Sequence, residues 1–393
     1  MDDPTAYPLP PPFAVELLED AAPLARAAPA DSPAERLARL RLIRSRRVGP
    51  VTWRRLMALH GNAVAALDAL PDLAAQAGDA RYAPAPESAV RDEGRAARAL
   101  GARLVTRGDP DYPTRLMDLD DAPPVLWLAG DADLLRRPCV AVVGTRNASS
   151  AGRRMARDLA RDLSRAGVAV VSGFARGIDA IAHDAALPLT VAVHAGGLDK
   201  PYPPENVDLA GRIIVEGLSL TERPFGHAPA ARDFPRRNRI VSGLSDAVVV
   251  VEAATRSGSM ITARDALDQG REVMAVPGHP SDARLSGCNA LLRDGATLVR
   301  NAGDVLDLLD ARPAAPAPEP PPDRVPAQSS APIVATADDL SARLLDLLSA
   351  TPVSEDQLAR DADAAPHRVA AALSELELRG HVNRRPGGGL TRT

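Results

Sequence analysis

The sequence predicts an α/β fold with a mostly parallel, doubly wound sheet, preceded by a small all-α domain and followed by a winged helix. Apolar strand-like runs alternate with helical patterns between residues 102 and 310, which is typical of parallel sheets covered by helices on both faces. Between residues 34 and 98, the apolar residues recur only at helical spacing. Near the C-terminus, three short helical patterns precede a glycine turn. These three observations define the predicted domains.

The small N-terminal domain follows a Pro- and Ala-rich segment, residues 1–33, that we expect to be a disordered tail. Ser32 suits a helix N-cap and Pro33 the first helical turn, while Leu37 and Leu40 recur at helical spacing. We therefore expect an all-α domain over residues 34–98.

The central domain, residues 102–310, carries nine predicted strands. They are Arg103–Thr106, Val125–Leu128, Cys139–Val143, Val168–Val171, Thr190–His194, Ile213–Val215, Ala247–Val251, Glu272–Val276 and Thr297–Val299. A second Pro- and Ala-rich segment, residues 311–334, then predicts a linker. Residues 335–393 predict the winged helix, in which Ser354 caps the second helix.

The composition limits the kinds of site that this chain can carry. It has 393 residues, of which 45% are hydrophobic, and a net charge of −4, so a nucleic-acid site would have to be a local basic patch. Its two cysteines, Cys139 and Cys288, lack metal-site spacing. No run of apolar residues is long enough to span a membrane. We expect a cytoplasmic protein without a metal, a cofactor or a membrane segment.

Five loops follow predicted strands, and in an open parallel sheet such loops meet where ligands bind. They are Gly144–Ser150, Ser172–Ala180, Ala195–Asp199, Gly217–Glu222 and Glu252–Ser259. Loop amides and helix N-termini can hold phosphate groups. None of the five matches a dinucleotide or P-loop motif. Any one of them alone is also compatible with an ordinary strand–helix connection.

The segment Arg232–Arg239 contains four arginines and Phe234. Arginines contact phosphates, and an exposed aromatic ring can stack on a base. A solvated loop with Phe234 buried in the core is the alternative. The histidines are scattered and no catalytic constellation is apparent, so we expect no enzyme. Asp179 is interpreted as a loop support.

These motifs together resemble the DNA-processing protein A family (DprA, also called Smf). The resemblance rests on ordered motifs across residues 102–300, including Gly144-Thr145-Arg146, Ser172–Asp179, Phe234–Ile240 and Ser257–Thr262. It implies a Rossmann-like core that binds single-stranded DNA, a homodimer, and loading of the RecA recombinase past single-strand-binding protein during natural transformation. It also implies a SAM-like or helix-hairpin-helix N-terminal domain.

The predicted DNA-binding residues come from three loops and the arginine segment. They are Gly144, Thr145, Arg146, Ser149, Ser150, Ser172, Gly173, Phe174, Arg176, Gly177, Phe234, Arg236, Arg237, Asn238, Arg239, Ser257, Gly258 and Ser259. Double-stranded DNA is an alternative ligand. Two other functions stay open: a phosphoribohydrolase-like nucleotide-processing enzyme, and a protein-docking adaptor that does not bind DNA. The winged helix suits protein contact or DNA contact.

Overall fold

The computed structural model describes residues 32–309, 337–349, 352–384 and 389–392. The predicted tail, apart from its last two residues, and the predicted linker lie outside the described residues. The chain forms two compact units. The first contains the described residues up to Ala132 with Ala195–Lys200 and Leu220–Pro229, and the second contains the remainder.

The first unit begins with four helices, α1 (Pro33–Arg44), α2 (Pro50–His60), α3 (Ala63–Gln76) and α4 (Glu87–Ala99). Ser32 caps α1 by accepting the N–H of Glu35, as the sequence predicts. The helices bury an apolar core around Trp53 and Leu56. Strand β1 (Arg103–Thr106), helix α5 (Thr114–Met117) and strand β2 (Val125–Gly130) follow, and β1 pairs antiparallel with β2.

The second unit alternates strands and helices. Its elements are β3 (Cys139–Val143), α6 (Ser150–Arg165), β4 (Ala169–Ser172), α7 (Ile178–Ala186), β5 (Thr190–Val193), α8 (Val207–Glu216), β6 (Leu218–Thr221), α9 (Asp233–Gly243), β7 (Ala247–Val250), α10 (Gly258–Asp268), β8 (Glu272–Ala275), α11 (Ser286–Arg293), β9 (Thr297–Leu298) and α12 (Ala302–Leu309). Only the first half of β6 belongs to this unit.

The strands of the second unit lie in the order β6-β5-β4-β3-β7-β8-β9. Strand β3 pairs in parallel with both β4 and β7. The chain therefore winds outward from β3 in one direction, returns, and continues from β7 in the other. This reversal places a crevice beyond the carboxyl ends of β3 and β7, where doubly wound sheets bind their ligands. The predicted Rossmann-like architecture is confirmed.

Two local predictions are wrong. The predicted strand Ile213–Val215 lies inside α8. The strand in this part of the chain is β6, which lies within the predicted loop Gly217–Glu222. In a strand, Ile213 and Val215 would share a face, but Ile213 is buried while Val215 is 83% exposed. The arginine segment is likewise not a loop, because it forms most of α9.

The winged helix is confirmed in the C-terminal part of the second unit. Helices α13 (Ala337–Leu347), α14 (Glu355–Asp361) and α15 (Pro366–Leu378) precede an antiparallel pair, β10 (Val382–Arg384) and β11 (Leu390–Arg392). Ser354 caps α14 through the N–H of Gln357, as expected. Leu344, Leu358 and Leu373 belong to one apolar core. Among the described residues, we find no helix with the length and apolar character needed to cross a membrane.

Two arginines that precede the winged helix in the chain contact the C-terminal ends of its helices. Arg284 donates to the carbonyl oxygens of Asp346 and Leu348 at the end of α13, at 2.7 and 2.6 Å. Arg153 of α6 donates to the carbonyl of Asp361, the last residue of α14, at 3.3 Å. Helix C-termini carry unsatisfied carbonyls and partial negative charge, so cations stabilise them.

Candidate nucleic-acid interface

A cavity of about 510 Å³ lies at the carboxyl ends of β3, β4 and β7. It is therefore at the crevice that the strand order creates. Ten of the predicted site residues line it: Gly144, Thr145, Arg146, Gly173, Phe234, Arg237, Asn238, Ser257, Gly258 and Ser259. The structure thus brings three separate loops and the start of α9 to one place.

Arg146 and Phe234 lie next to each other in the lining of this cavity. Arg146 is exposed and Phe234 is half-buried. The Arg146 guanidinium carbon lies 5.5 Å from the centroid of the Phe234 ring, a cation–π distance. A fixed positive charge and an accessible ring are thereby held side by side. This pair can contact a phosphate with one member and a base with the other.

Glu252, at the end of β7, holds the loop that follows β3. Its buried carboxylate accepts the Ser149 hydroxyl at 2.7 Å and the Ser149 N–H at 3.3 Å. Its carbonyl accepts the Thr145 N–H at 2.7 Å. Gly152 faces the same carboxylate so closely that a Cβ there would collide with it. Burial raises the pKa of Glu252, while the Ser149 hydroxyl opposes that shift. Glu252 is thus a loop support that the sequence alone did not identify as one.

Ser149 and Ser150 are both buried, which corrects their expected place on the DNA surface. The Ser149 side chain also accepts the N–H of Gly152 and so caps α6. Its donor and acceptor capacity is used inside the protein. Neither serine lines the cavity.

Several loop amides that we expected to hold phosphate already have partners within the protein. The N–H groups of Thr145 and Ser149 go to Glu252. The Asn147 N–H goes to the Thr145 hydroxyl, and the Ala175 N–H goes to the Asp179 carboxylate. Asp179 therefore lies where a loop support would, and these four amides are not available to a ligand.

The loop after β4 turns its aromatic residue inward. Phe174 is 1% exposed and packs against His194 and His183, with ring centroids 4.6 and 5.9 Å away. Its φ of 58° directs the side chain in a way that an extended residue would not. Ser172 is also buried and donates to the Val142 carbonyl. Both side chains are buried, which corrects the expectation that they lie on the surface of the site.

Arg237 is the inward-facing arginine of α9. It is buried, donates to the Val193 carbonyl at 2.5 Å and lies against Gly173, whose absent Cβ would stand 2.6 Å from the guanidinium carbon. Burial lowers its pKa to about 10, with the Asp179 charge acting in the opposite direction. Burial likewise raises the pKa of Asp179. Arg237 lines the cavity, but its main contacts are to the protein.

The remaining predicted residues lie outside the cavity lining. Arg176 is exposed and pairs with Glu205 at 3.4 Å. Arg236 is exposed and Arg239 is half-buried on α9. Gly177 lies so close to the carbonyl oxygens of Thr145 and Arg146 that a Cβ there would collide with both. Conversely, the cavity includes residues that the sequence did not mark as DNA contacts, namely Val143, Ala175, Asp179, Ala231, Pro235, Val241, Ile261 and Thr262.

No group of three or more potential metal ligands occurs among the residues that the structure describes. Cys139 and Cys288 are buried free thiols. Burial raises the pKa of Cys288 to about 12. Such a thiol is a poor nucleophile at neutral pH, because the thiolate is the reactive form.

Comparison with known proteins identifies the family. Residues 103–310 match the family described as DNA recombination-mediator protein A. The chain belongs to this family. Residues 33–96 match a DprA-like N-terminal HHH domain, and residues 310–388 match the DprA winged helix domain. The family description names a recombination mediator.

Individual relatives give the same result. Protein Smf from Synechocystis sp. is 36% identical over 313 residues, covering 72% of this chain and 79% of the relative. The X-ray structure of DprA from Streptococcus pneumoniae is 37% identical, with a TM-score of 0.53 over 61% of this chain and 86% of that one. A Helicobacter pylori DprA structure, described by its single-stranded DNA binding mode, is 32% identical, with a TM-score of 0.50 over 54% and 97%.

Proposed function

We propose that this protein binds single-stranded DNA in the cavity at the carboxyl ends of β3, β4 and β7. The observation that carries the proposal is the Arg146–Phe234 pair, which presents a cation and an aromatic ring together at the opening of the crevice. Groove-bound arginines that follow the backbone, combined with rings that stack on bases, are how single strands are bound without sequence readout. The Helicobacter pylori relative, whose description names single-stranded DNA binding, supports the same function.

Arg146 should carry much of the electrostatic part of binding. For single strands, the logarithm of affinity falls against the logarithm of salt concentration with a slope of about −0.7 per neutralised phosphate. Arg146→Ala should therefore weaken binding and reduce that slope by about 0.7 in fluorescence-anisotropy titrations with an oligothymidylate. Arg293→Ala is the matched control, because Arg293 is exposed in the same unit but outside the cavity. A slope in Arg146→Ala equal to that of the control would remove Arg146 from the site.

The same titrations distinguish the other functions. An adaptor predicts no DNA binding by the wild-type protein at low salt. A nucleotide-processing enzyme predicts release of free base from nucleoside monophosphates, which chromatography would detect. Competition with duplex oligonucleotides tests the preference for single strands over double strands.

We also propose that the protein loads RecA and forms a homodimer, because the chain belongs to the DNA recombination-mediator protein A family. We expect the protein to accelerate RecA-catalysed ATP hydrolysis on single-stranded DNA that is coated with single-strand-binding protein. The DNA-binding variant Arg146→Ala should lose that acceleration. Sedimentation of the protein should give twice the mass of the chain. Natural transformation is the process in which such an activity would be used.

A further inference from the structure

Tyr202 is an exposed aromatic residue beside the proposed DNA site that does not line the cavity. It is 51% exposed, whereas Tyr82, Tyr112, Trp53 and Trp127 are buried. Its ring centroid lies 5.7 Å from that of Phe234, with the planes tilted by 55°. Because Phe234 also contacts Arg146, the three side chains form a continuous row, Arg146–Phe234–Tyr202.

The segment that carries Tyr202 is attached to the loop after β4. Asn206 is buried, and its side-chain amide donates to the carbonyls of Phe174 and Ala175 at 3.4 Å each. Glu205 pairs with Arg176 of the same loop at 3.4 Å. Tyr202 therefore lies on a segment that is attached to the wall of the cavity three and four residues later in the chain, through Glu205 and Asn206.

A ring half-exposed to water beside another accessible ring is a platform on which a flat apolar group can stack. A base is such a group, and successive bases of a single strand stack on successive aromatic side chains in proteins of this kind. The alternative is that Tyr202 only covers Phe234 and keeps water from it. Such a cover would contribute to stability but not to the number of nucleotides bound.

We propose that Tyr202 stacks on a second base, next to the one on Phe234, and so extends the single-stranded DNA site beyond the cavity. This inference rests on the proposed function of the cavity. Arg146 contacts backbone phosphate at one end of the row, Phe234 receives one base, and Tyr202 receives its neighbour. The site then holds at least two consecutive nucleotides, and its length is set by the two rings.

The test is a series of oligothymidylates of increasing length, bound by wild type, Tyr202→Ala and Val215→Ala. Val215 is the matched control, because it is an exposed apolar residue on α8 of the same unit and outside the cavity. For long oligonucleotides, Tyr202→Ala should lose roughly 5- to 150-fold in affinity, the range that corresponds to one stacked base. For an oligonucleotide too short to span both rings, it should lose nothing. Val215→Ala should match wild type at every length.

A second variant reads the contact directly. Tyr202→Trp retains a flat ring, so it should retain wild-type affinity, and its additional indole fluorescence should be quenched when single-stranded DNA is added. The inference is overturned if Tyr202→Ala binds every length like Val215→Ala, or if the added indole emission of Tyr202→Trp is unchanged at saturating DNA. If wild type binds no single-stranded DNA, the proposed function falls as well. A loss confined to Phe234→Ala would leave the proposed function standing without Tyr202.

Discussion

Replacing Gly177 by alanine is expected to unfold the junction between the two glycine loops. Gly177 has φ of +75° and ψ of −123°, a conformation that essentially only glycine adopts. A Cβ there would also overlap the Thr145 carbonyl oxygen and stand 2.6 Å from that of Arg146. These are backbone atoms, and they cannot rotate away. We expect a loss of about 3 kcal/mol or more in the free energy of unfolding, because backbone strain and a collision act together.

Gly270→Ala is the matched control for that variant. Gly270 also has a positive φ, +68°, but a Cβ there would meet nothing within 4 Å. Its replacement should cost only about 1 kcal/mol, the ordinary cost of placing alanine in the left-handed region. Thermal unfolding of the full chain measures both variants. Equal losses would show that the close approach of the loops at Gly177 contributes nothing. Gly177→Ala should also lose affinity for single-stranded DNA, because Arg146 lies on the displaced loop.

Acidification below pH 6.5 is expected to destabilise the second unit through two buried histidines. His183 and His194 are both buried, and burial lowers the pKa of each to about 3. In the unfolded chain they bind protons from about pH 6.5 downward. Since the unfolded state then binds more protons than the folded state, stability falls as the pH falls from 6.5 towards 3. At pH 5, each histidine accounts for about 2 kcal/mol of lost stability.

The raised pKa values of Asp179 and Glu252 act in the opposite direction. Their carboxyls take up protons more readily in the folded state, so the decline becomes shallower where they titrate. His194→Phe isolates the histidine part. In this variant, the slope of the free energy of unfolding against pH should fall to about half between pH 6.5 and 5, whatever the absolute stability of the variant. Val215→Ala, an exposed substitution in the same unit that removes no titratable group, should leave the slope unchanged. Equal slopes in wild type and His194→Phe would contradict the assignment.

The architecture was predictable because most elements carry a strong local pattern. Strand β3 is uniformly apolar, and its bounds in the structure, Cys139–Val143, are those predicted from sequence. Helix α8 was missed because Ile213-Ile214-Val215 is β-branched throughout, and only tertiary packing decides between strand and helix for such a short run. The helical character of the arginine segment was not predictable, because its charges obscure the spacing of the buried positions Arg237 and Ile240.

The site was predictable as a place but not residue by residue. Loops at one edge of a parallel sheet meet whatever their sequence, so the convergence followed from topology. The direction of each side chain did not. Phe174 turns inward because of a positive φ, and Ser149 is committed to Glu252, a partner 103 positions later. A linear pattern contains neither fact. The contact between Tyr202 and Phe234 was not predictable, because the two residues are distant in sequence.

The bonds that Glu252 and Asp179 make to the loops have a kinetic consequence. Because these carboxylates already hold the loop amides, the proposed binding surface needs no ligand to fix its loops. An incoming strand then meets a preformed surface, and binding requires no prior ordering of the loops. Association should then show no rate-limiting conformational step, and differences in affinity between DNA lengths should appear in the lifetime of the complex.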